Sequence, residues 1–437
     1  MLIAGTNSGC GKTTITLALI QRLQSLGMVI SPYKAGPDFL DPMWLATICS
    51  RPCYNLDTRM MGEKPCRLLF AKQSADADLA IVEGVMGMFD GAQGVGEAGS
   101  SAHLARILEI PVLLVVNAKG VSGSLVPLVE GFVARAAAMG VTVAGVVANM
   151  VGSERHAEML KKLLAECDLP PLMAWMLKGA PPLPERHLGL VMPDKQSPPP
   201  DLSPFFHLDE EMVITAASTV KNTPITSAAV ASTTQRGSSR GKLLLGRSVA
   251  VASDAAFCFI YPANLDWLRN EGADIHPFSP LLGEPPQQSV DALWLPGGYP
   301  ELYAQQLAES ASWQPIREWV EQGGALLAEC GGMMVLGESI TTTDNRQHTM
   351  AGILPYTFVM QSGVVGLGYR EDASGVCGHE FHHSQRFGSQ PAEHAFTPQR
   401  GDGGIRYKNL RASYIHWYFP SRPEVIAAWL CGDKVEE

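Results

Sequence analysis

Residues 1–14, MLIAGTNSGCGKTT, run from a short apolar strand into a Gly-rich turn and end in Gly11-Lys12-Thr13-Thr14. That order commits the chain to a strand, a phosphate-cradling loop and a helix, the outline of a nucleoside triphosphate site. In such a loop Gly9 and Gly11 let backbone N–H groups converge on phosphate oxygens. Lys12 neutralises the β/γ charge, Thr13 ligates Mg²⁺, and Thr14 completes the ATP-binding set. The following residues, ITLALIQRLQSLG, read as the helix whose N-terminal dipole faces the phosphate. Five residues separate Gly5 from Gly11, one more than the strict pattern has. A ligand-free Gly-rich turn is the bland alternative, and the Lys-Thr pair in its expected place weighs against it.

A second signal lies near the other end, in ALLAECGGMMVLG (325–337) and SYIHWYF (413–419). An apolar strand, Ala325 to Ala328, meets Glu329-Cys330-Gly331-Gly332 and an apolar helical stretch follows. A strand-elbow-helix of this kind lifts a nucleophile clear of a sheet and points it at a helix N-terminus, which favours thiolate. Cys330 with the distant His416 is therefore a candidate nucleophile-base pair, although an isolated cysteine is more often a buried apolar residue. LWLPGGYPE (293–301) strengthens the case, because its Gly297-Gly298 turn suits backbone oxyanion donors.

The 437 residues exceed what one core organises, so two or three domains are expected. With 33 basic and 43 acidic residues the net charge is −10, which gives no reason to expect nucleic acid or an anionic membrane as partner. Nine cysteines show no C-x-x-C pair or zinc-like spacing. The chain opens directly on its first strand, so the reading expects reduced thiols, no signal peptide, no structural metal and a cytoplasmic protein. No apolar stretch reaches the ~20 residues a membrane helix needs.

Residues 1–150 repeat an α/β rhythm: strands at 2–4, 28–33, 79–82, 111–116 and 142–148, helices at 13–25, 101–108 and 122–139. Short apolar strands alternating with helices predict a doubly wound parallel sheet. Residues 153–194 add a helix and a strand near 172–175. SPPPDLSP and the run TAASTVKNTPITSAAVASTTQRGSSRG read as a linker, flexible in part, because small polar residues bury little surface. The rhythm restarts at Arg247. The expected fold is α/β throughout: a P-loop domain at 1–195, a linker at 196–246 and a second α/β domain at 247–437.

PGGYPE, the AECGGMM elbow and the late SYIH resemble the glutaminase domain of the cobyrinic-type class I glutamine amidotransferases. The first half resembles the ATP-dependent amidoligase domain of the same enzymes, itself similar to dethiobiotin synthetase. Further matching pieces are PYKAGPDFLDP (32–42), NLD (55–57), VEGVMGMFDG (82–91), GVVANMVGSERH (145–156), GYRE (368–371) and GHEFHHS (378–384). Together they cover nearly the whole chain and resemble the cobyrinic acid a,c-diamide synthase family.

Glu83 closes the strand DLAIVE beside the loop and reads as a second Mg²⁺ ligand. The resemblance to dethiobiotin synthetase adds Asp57 as a further one, with an Asx turn as the alternative. It also places Lys34 on the γ-phosphate and the substrate carboxylate, and Asn149 on adenine, the latter against a strand-terminating Asn. Asp38, Asp41 and Asp90 crowd the same edge and are read as substrate or intermediate contacts, with turn-capping open for each. Asn117 stands where the family pattern has Asp.

The implied reaction phosphorylates a substrate carboxylate with ATP and Mg²⁺ to an acyl phosphate. Cys330 would release ammonia from glutamine through a thioester, with His416 moving the proton, and the ammonia would attack the acyl phosphate across the domain interface. The a and c acetates of cobyrinic acid would be amidated in turn. Two residues after His416 stands Tyr418 in place of the usual orienting carboxylate; Glu380, or none, could fill that role. His379, His382 and His383 lack zincin spacing and read as an interface segment rather than a metal cluster. Alternatives are the same chemistry on hydrogenobyrinic acid or a nickel sirohydrochlorin, the related cobyric acid synthase, and a P-loop switch ATPase carrying a degenerate glutaminase-like domain. A homodimer is compatible with all of them.

Overall fold

The computed structural model describes residues 1–91, 97–183, 199–218, 241–388 and 393–432. The chain divides into two units, Met1–Arg236 and Gly237–Glu437, each built around its own sheet. Most of the Ser/Thr/Ala-rich run lies outside the described residues. Among those described, no helix is long and apolar enough to cross a membrane.

In the first unit the strands are β1 (Leu2–Gly5), β2 (Ile30–Ala35), β3 (Tyr54–Leu56), β4 (Leu79–Gly87), β5 (Val112–Asn117), β6 (Val143–Val151), β7 (Leu172–Leu177) and β8 (Phe206–Leu208). Their order is β3-β2-β4-β1-β5-β6-β7-β8, parallel except for the antiparallel pair β7/β8. Every residue of β1 and β2 is buried, as expected of parallel strands covered on both faces. Helix α1 (Lys12–Ser25) returns from β1 and buries Ile15, Leu17, Leu19, Ile20 and Leu23 against the sheet. Ser100 and Ser153 start later helices, each side chain accepting the backbone N–H of the third residue on, His103 and His156. Because β1 lies between β4 and β5, the loop after β1 opens beside the carboxyl end of β4, where α/β sheets hold ligands.

Two features differ from the sequence expectation. The Pro- and Gly-dense stretch PYKAGPDFLDP reads as a loop, yet it leads into a second helix, α2 (Leu40–Cys49), whose first N–H, on Leu40, donates to Asp38 Oδ1 at 3.0 Å. The first part of the expected linker folds: β8 pairs with β7, and the helix Glu210–Ser218 follows with Val213 buried.

The second unit opens with β9 (Ser248–Ala252), β10 (Asp274–Phe278), β11 (Ala292–Leu295) and β12 (Ala325–Glu329). Then come β13 (Ser339–Thr341), β14 (Gln347–Thr349), β15 (Thr357–Met360), β16 (Gly366–Glu371), β17 (Cys377–His382), β18 (Ser384–Phe387), β19 (Ile405–Tyr407), β20 (Leu410–Ser413) and β21 (Ile415–Trp417). The main sheet runs β10-β9-β11-β12-β20-β19, parallel but for the edge strand β19. Two small sheets, β14-β13-β15-β18 and β16-β17-β21, carry the residues between β12 and the end. Leu293, Leu295, Leu326 and Ala328 face one fully buried cluster, Trp294, Leu327 and Trp417 another, on opposite faces of the main sheet.

Behind β12 the chain crosses β11 so closely that a Cβ on Gly332 would stand 2.1 Å from Leu295 O. Backbone cannot yield to that contact, so Gly332→Ala is expected to destabilise the second unit by about 3 kcal/mol. The check is a lowered urea midpoint, read on the second unit's buried tryptophans.

Candidate functional site

Two clusters of buried polar side chains form, one in each unit. In the first, Lys34 on β2 is the register partner of Glu83 on β4, so two side chains distant in sequence are adjacent in space. Lys34 Nζ donates to Glu83 Oε1 at 3.1 Å and to Gly84 O at 3.0 Å, and pairs with Asp41 Oδ2 at 2.7 Å. Asp38 Oδ2 stands farther off, at 4.0 Å. Thr13, the hydroxyl after the loop lysine, donates to Glu83 Oε1 at 2.7 Å, with Asp41 Oδ1 at 3.3 Å.

Burial, reinforced by the Asp41 charge, pushes Glu83 up to about 8. For Asp41 burial opposes ionisation, but the Lys34 ammonium prevails and holds the carboxyl at about 2. Burial also opposes the charge of Lys34, and the surrounding carboxylates more than offset it, so the ammonium persists.

One atom of this cluster is unspent: Glu83 Oε2 is buried and accepts no hydrogen bond. Beside a loop hydroxyl, an orphaned carboxylate oxygen fits a magnesium ion, which binds through one or two carboxylates plus substrate phosphates. Among the described residues no group of three or more His, Cys, Asp or Glu could hold a metal ion.

The other residues singled out from the first half are placed as follows. Lys12 Nζ donates to Met86 O at 2.5 Å, and Gly9 and Gly11 have φ of 78° and 94°. Thr14 lies in the first turn of α1. Asn149 Nδ2 donates to Cys10 O at 2.9 Å, so in this structure its amide braces the loop. Asp57 Oδ1 accepts from Arg59 N and Met60 N at 2.8 and 3.1 Å, and Asp90 Oδ2 accepts from Gly87 N at 2.7 Å. Both therefore cap their own turns. Asn117 is exposed and accepts from Lys119 N at 3.0 Å.

In the second unit β12 delivers Cys330 at φ 46°, ψ −107°, a strained conformation for a residue with a side chain. Strand β20 holds it there, since Cys330 N donates to Ser413 O at 2.7 Å. Three residues past Ser413, on β21, comes His416. A Cβ on Gly297 would lie 2.2 Å from His416 Cε1 and 3.3 Å from Cys330 Cβ. Only glycine fits there, and Gly297, Cys330 and His416 converge on one point. A Cβ on Gly331 would in turn stand 3.1 Å from Gly298 N, which brings the residue after Cys330 beside the Gly-Gly turn.

The electrostatics differ from a thiolate-favouring elbow. Burial, then the Glu301 charge, pushes the Cys330 thiol well above its usual range, while burial lowers His416 to about 3. Both groups rest neutral, with the thiol directed to Phe381 O at 3.9 Å. Glu380 is committed elsewhere, to Arg370 Nε at 2.5 Å and His382 Nε2 at 3.0 Å. His379 faces His416 across the β17/β21 pair, and His382 stacks on Tyr414 at 3.6 Å.

The sequence reading passed over Glu329, immediately before Cys330. Its Oε1 accepts from Trp417 N at 2.9 Å and its Oε2 from Trp294 Nε1 at 3.1 Å, which ties the nucleophile's strand to those on either side of the site. The signal was available: one carboxylate ends an otherwise apolar buried strand, ALLAE.

Residues 1–185 match the family described as the CobQ/CobB/MinD/ParA nucleotide binding domain, and residues 248–424 the CobB/CobQ-like glutamine amidotransferase domain. The cobyrinate a,c-diamide synthase of Syntrophotalea carbinolica is 40% identical over 98% of this chain and 97% of its own. That of Salmonella typhimurium is 36% identical over 99% and 98%. The hydrogenobyrinate a,c-diamide synthase of Brucella anthropi is 36% identical over 95% and 97%.

Two outcomes follow from the buried charges. Lys34→Met strands Glu83 and Asp41 without their cation and is expected to lower stability by about 4 kcal/mol, read by calorimetry of the first unit. Burial raises Glu329 from its ordinary 4.5 to about 8, so the folded state keeps a proton that the unfolded chain releases. Its contribution is therefore greatest below about 4.5 and declines as pH rises toward about 8. Glu329→Gln should make that decline shallower by up to ~1.4 kcal/mol per pH unit, measured as stability against pH between those limits.

Proposed function

The chain belongs to the family of cobyrinate and hydrogenobyrinate a,c-diamide synthases, glutamine amidotransferase-type ligases, and on that premise we propose that it amidates the a and c acetate carboxylates of cobyrinic acid with ATP and glutamine. One observation carries this reading: the relatives match end to end, and the elbow Cys330, its histidine His416 and the loop Gly11-Lys12-Thr13 are all present in one chain.

In the first unit, loop N–H groups around Gly9 and Gly11 receive the phosphates at the start of α1, with Thr14 in its first turn. Lys12 turns from Met86 O to the β/γ oxygens, and Lys34 meets the transferring phosphoryl group and the substrate carboxylate. Thr13 and Glu83 would hold magnesium, which supplies charge neutralisation to the phosphates when bound. Asp41 holds Lys34 in place; Asp57 and Asp90 fix the turns that bound the site, and Asp38 starts α2 beside it. Attack of the carboxylate oxygen on the γ-phosphorus gives an acyl phosphate and ADP. Ammonia then displaces phosphate from the acyl carbon, leaving the amide.

In the second unit, Cys330 Sγ attacks the side-chain carbonyl of glutamine while its proton passes to His416. The N–H groups of Gly298 and Gly331, with the Gly297 turn behind them, stabilise the oxyanion. Imidazolium returns the proton to the leaving nitrogen, ammonia departs, and water hydrolyses the thioester to glutamate. On this reading the protein is a cytoplasmic enzyme of small molecules, with no nucleic acid partner.

A metal-free corrinoid is the second reading, favoured by the equal identity to the Brucella anthropi and Salmonella typhimurium relatives. The test is ATP-dependent diamide formation with cobyrinic or hydrogenobyrinic acid, comparing parent with Cys330→Ala and glutamine with ammonia. The parent should use either nitrogen source and the variant only ammonia, with glutamine turnover down at least ~10³-fold. ATP hydrolysis without amidation of either corrinoid would overturn the substrate assignment.

A further inference from the structure

The Gly-Gly turn beside the nucleophile ends in a carboxylate that the mechanism above does not use. Glu301 lies in the 3-10 turn Pro300–Tyr303 and is 8% exposed. Burial raises its carboxyl to about 7 against a hydrogen bond from its own backbone N–H, and no described lysine, arginine or histidine pairs with it. The residue before it packs on the site: Pro300 Cδ is 2.8 Å from where a Cβ on Gly331 would be, and Gly331 follows Cys330 directly. Of the neighbouring charges, that of Glu301 acts most strongly on the Cys330 thiol.

Such a residue is expensive twice over. A buried carboxylate without a cation costs several kcal/mol. Its charge also opposes the thiolate through which Cys330 must react. Both penalties vanish if a cation arrives with the substrate, and glutamine carries one, the α-ammonium.

We propose that Glu301 binds the α-ammonium of glutamine and so selects an α-amino acid amide over other primary amides. Resting on the reading of Cys330 as the glutaminase nucleophile, this makes Glu301 a specificity residue. Arrival of the ammonium removes the like-charge opposition at Cys330, so the proton moves to His416 only when the correct substrate is seated.

The test compares L-glutamine with glutaramate, the same side-chain amide lacking the α-amino group, by ammonia release from the parent, Glu301→Gln and Glu301→Asp. In Glu301→Gln the ratio of kcat/KM for glutamine over glutaramate is expected to fall tenfold to a hundredfold, roughly the worth of one hydrogen-bonded charge, with the change in KM. Glu301→Asp should restore part of it. A structural role would lower both substrates alike, and an equal fall or an unchanged ratio overturns the proposal. As a second readout, L-glutamine binding to Cys330→Ala should weaken when Glu301→Gln is added, measured calorimetrically. A parent that releases no ammonia from glutamine at all overturns the nucleophile reading and this one with it, whereas glutamine turnover with an unchanged ratio overturns only Glu301.

Discussion

A carboxylate withdrawn from water must find compensation, and in this protein the kind of compensation each buried carboxylate finds separates scaffold from chemistry. Glu329 receives one N–H donor on each oxygen, from Trp417 and Trp294, and its valence is filled within the fold. Glu83 is met on one oxygen by Lys34 and Thr13 and left bare on the other. Glu301 meets its own backbone N–H and, among the described residues, no side-chain cation. The three differ little in burial, so exposure alone would not rank them. What ranks them is the capacity a ligand could complete: each oxygen of Glu329 already has a donor, one oxygen of Glu83 has none, and Glu301, raised to about 7 by burial, has no cation among the described residues.

The position of Cys330, the proposed nucleophile, follows from strand pairing. Because β12 pairs in parallel with β20, Glu329 lies opposite Ser413, and the backbone of Cys330 is caught by Ser413 O. The chain then bends at Tyr414 into β21, which sets His416 beside the elbow within three residues of that hydrogen bond. The positive φ of Cys330 is a cost the sheet imposes and the pairing sustains. Tight approach of the Gly297 turn closes the third side. No carboxylate is needed to bring Cys330 and His416 together, which gives a physical reason why Tyr418 can stand two residues after His416.

Much of this was legible because it rests on local pattern. The Gly-Lys-Thr loop, the apolar strands β1, β4, β5 and β6, and the Glu-Cys-Gly-Gly elbow each carry their signal within a dozen residues. What escaped depends on non-local pairing or on the balance of local caps. Helix α2 is hidden by Pro37 and Gly36, and its start is secured by an Asp38 hydrogen bond that composition does not announce. Asp57 and Asp90 are chemically able to bind cations, and only coordinates show an oxygen of each committed to its own turn. Glu380 offers an attractive third member for the Cys-His pair until β16 brings Arg370 across to claim it. Leu202, Phe206 and Val213, inside the stretch expected to be linker, are apolar enough to pack and extend the first unit.

Burial favours the neutral thiol at Cys330 and the neutral imidazole at His416, and a neutral thiol is a poor nucleophile. Burial does so without any moving part. Activation then has to come from something that enters the site, and among the groups glutamine brings, only its cation changes the local charge balance in the required direction. The same physics that raises the thiol's pKa thus makes its reactivity conditional on the substrate, and it does so with a single buried carboxylate placed one residue beyond the proline that packs on the elbow.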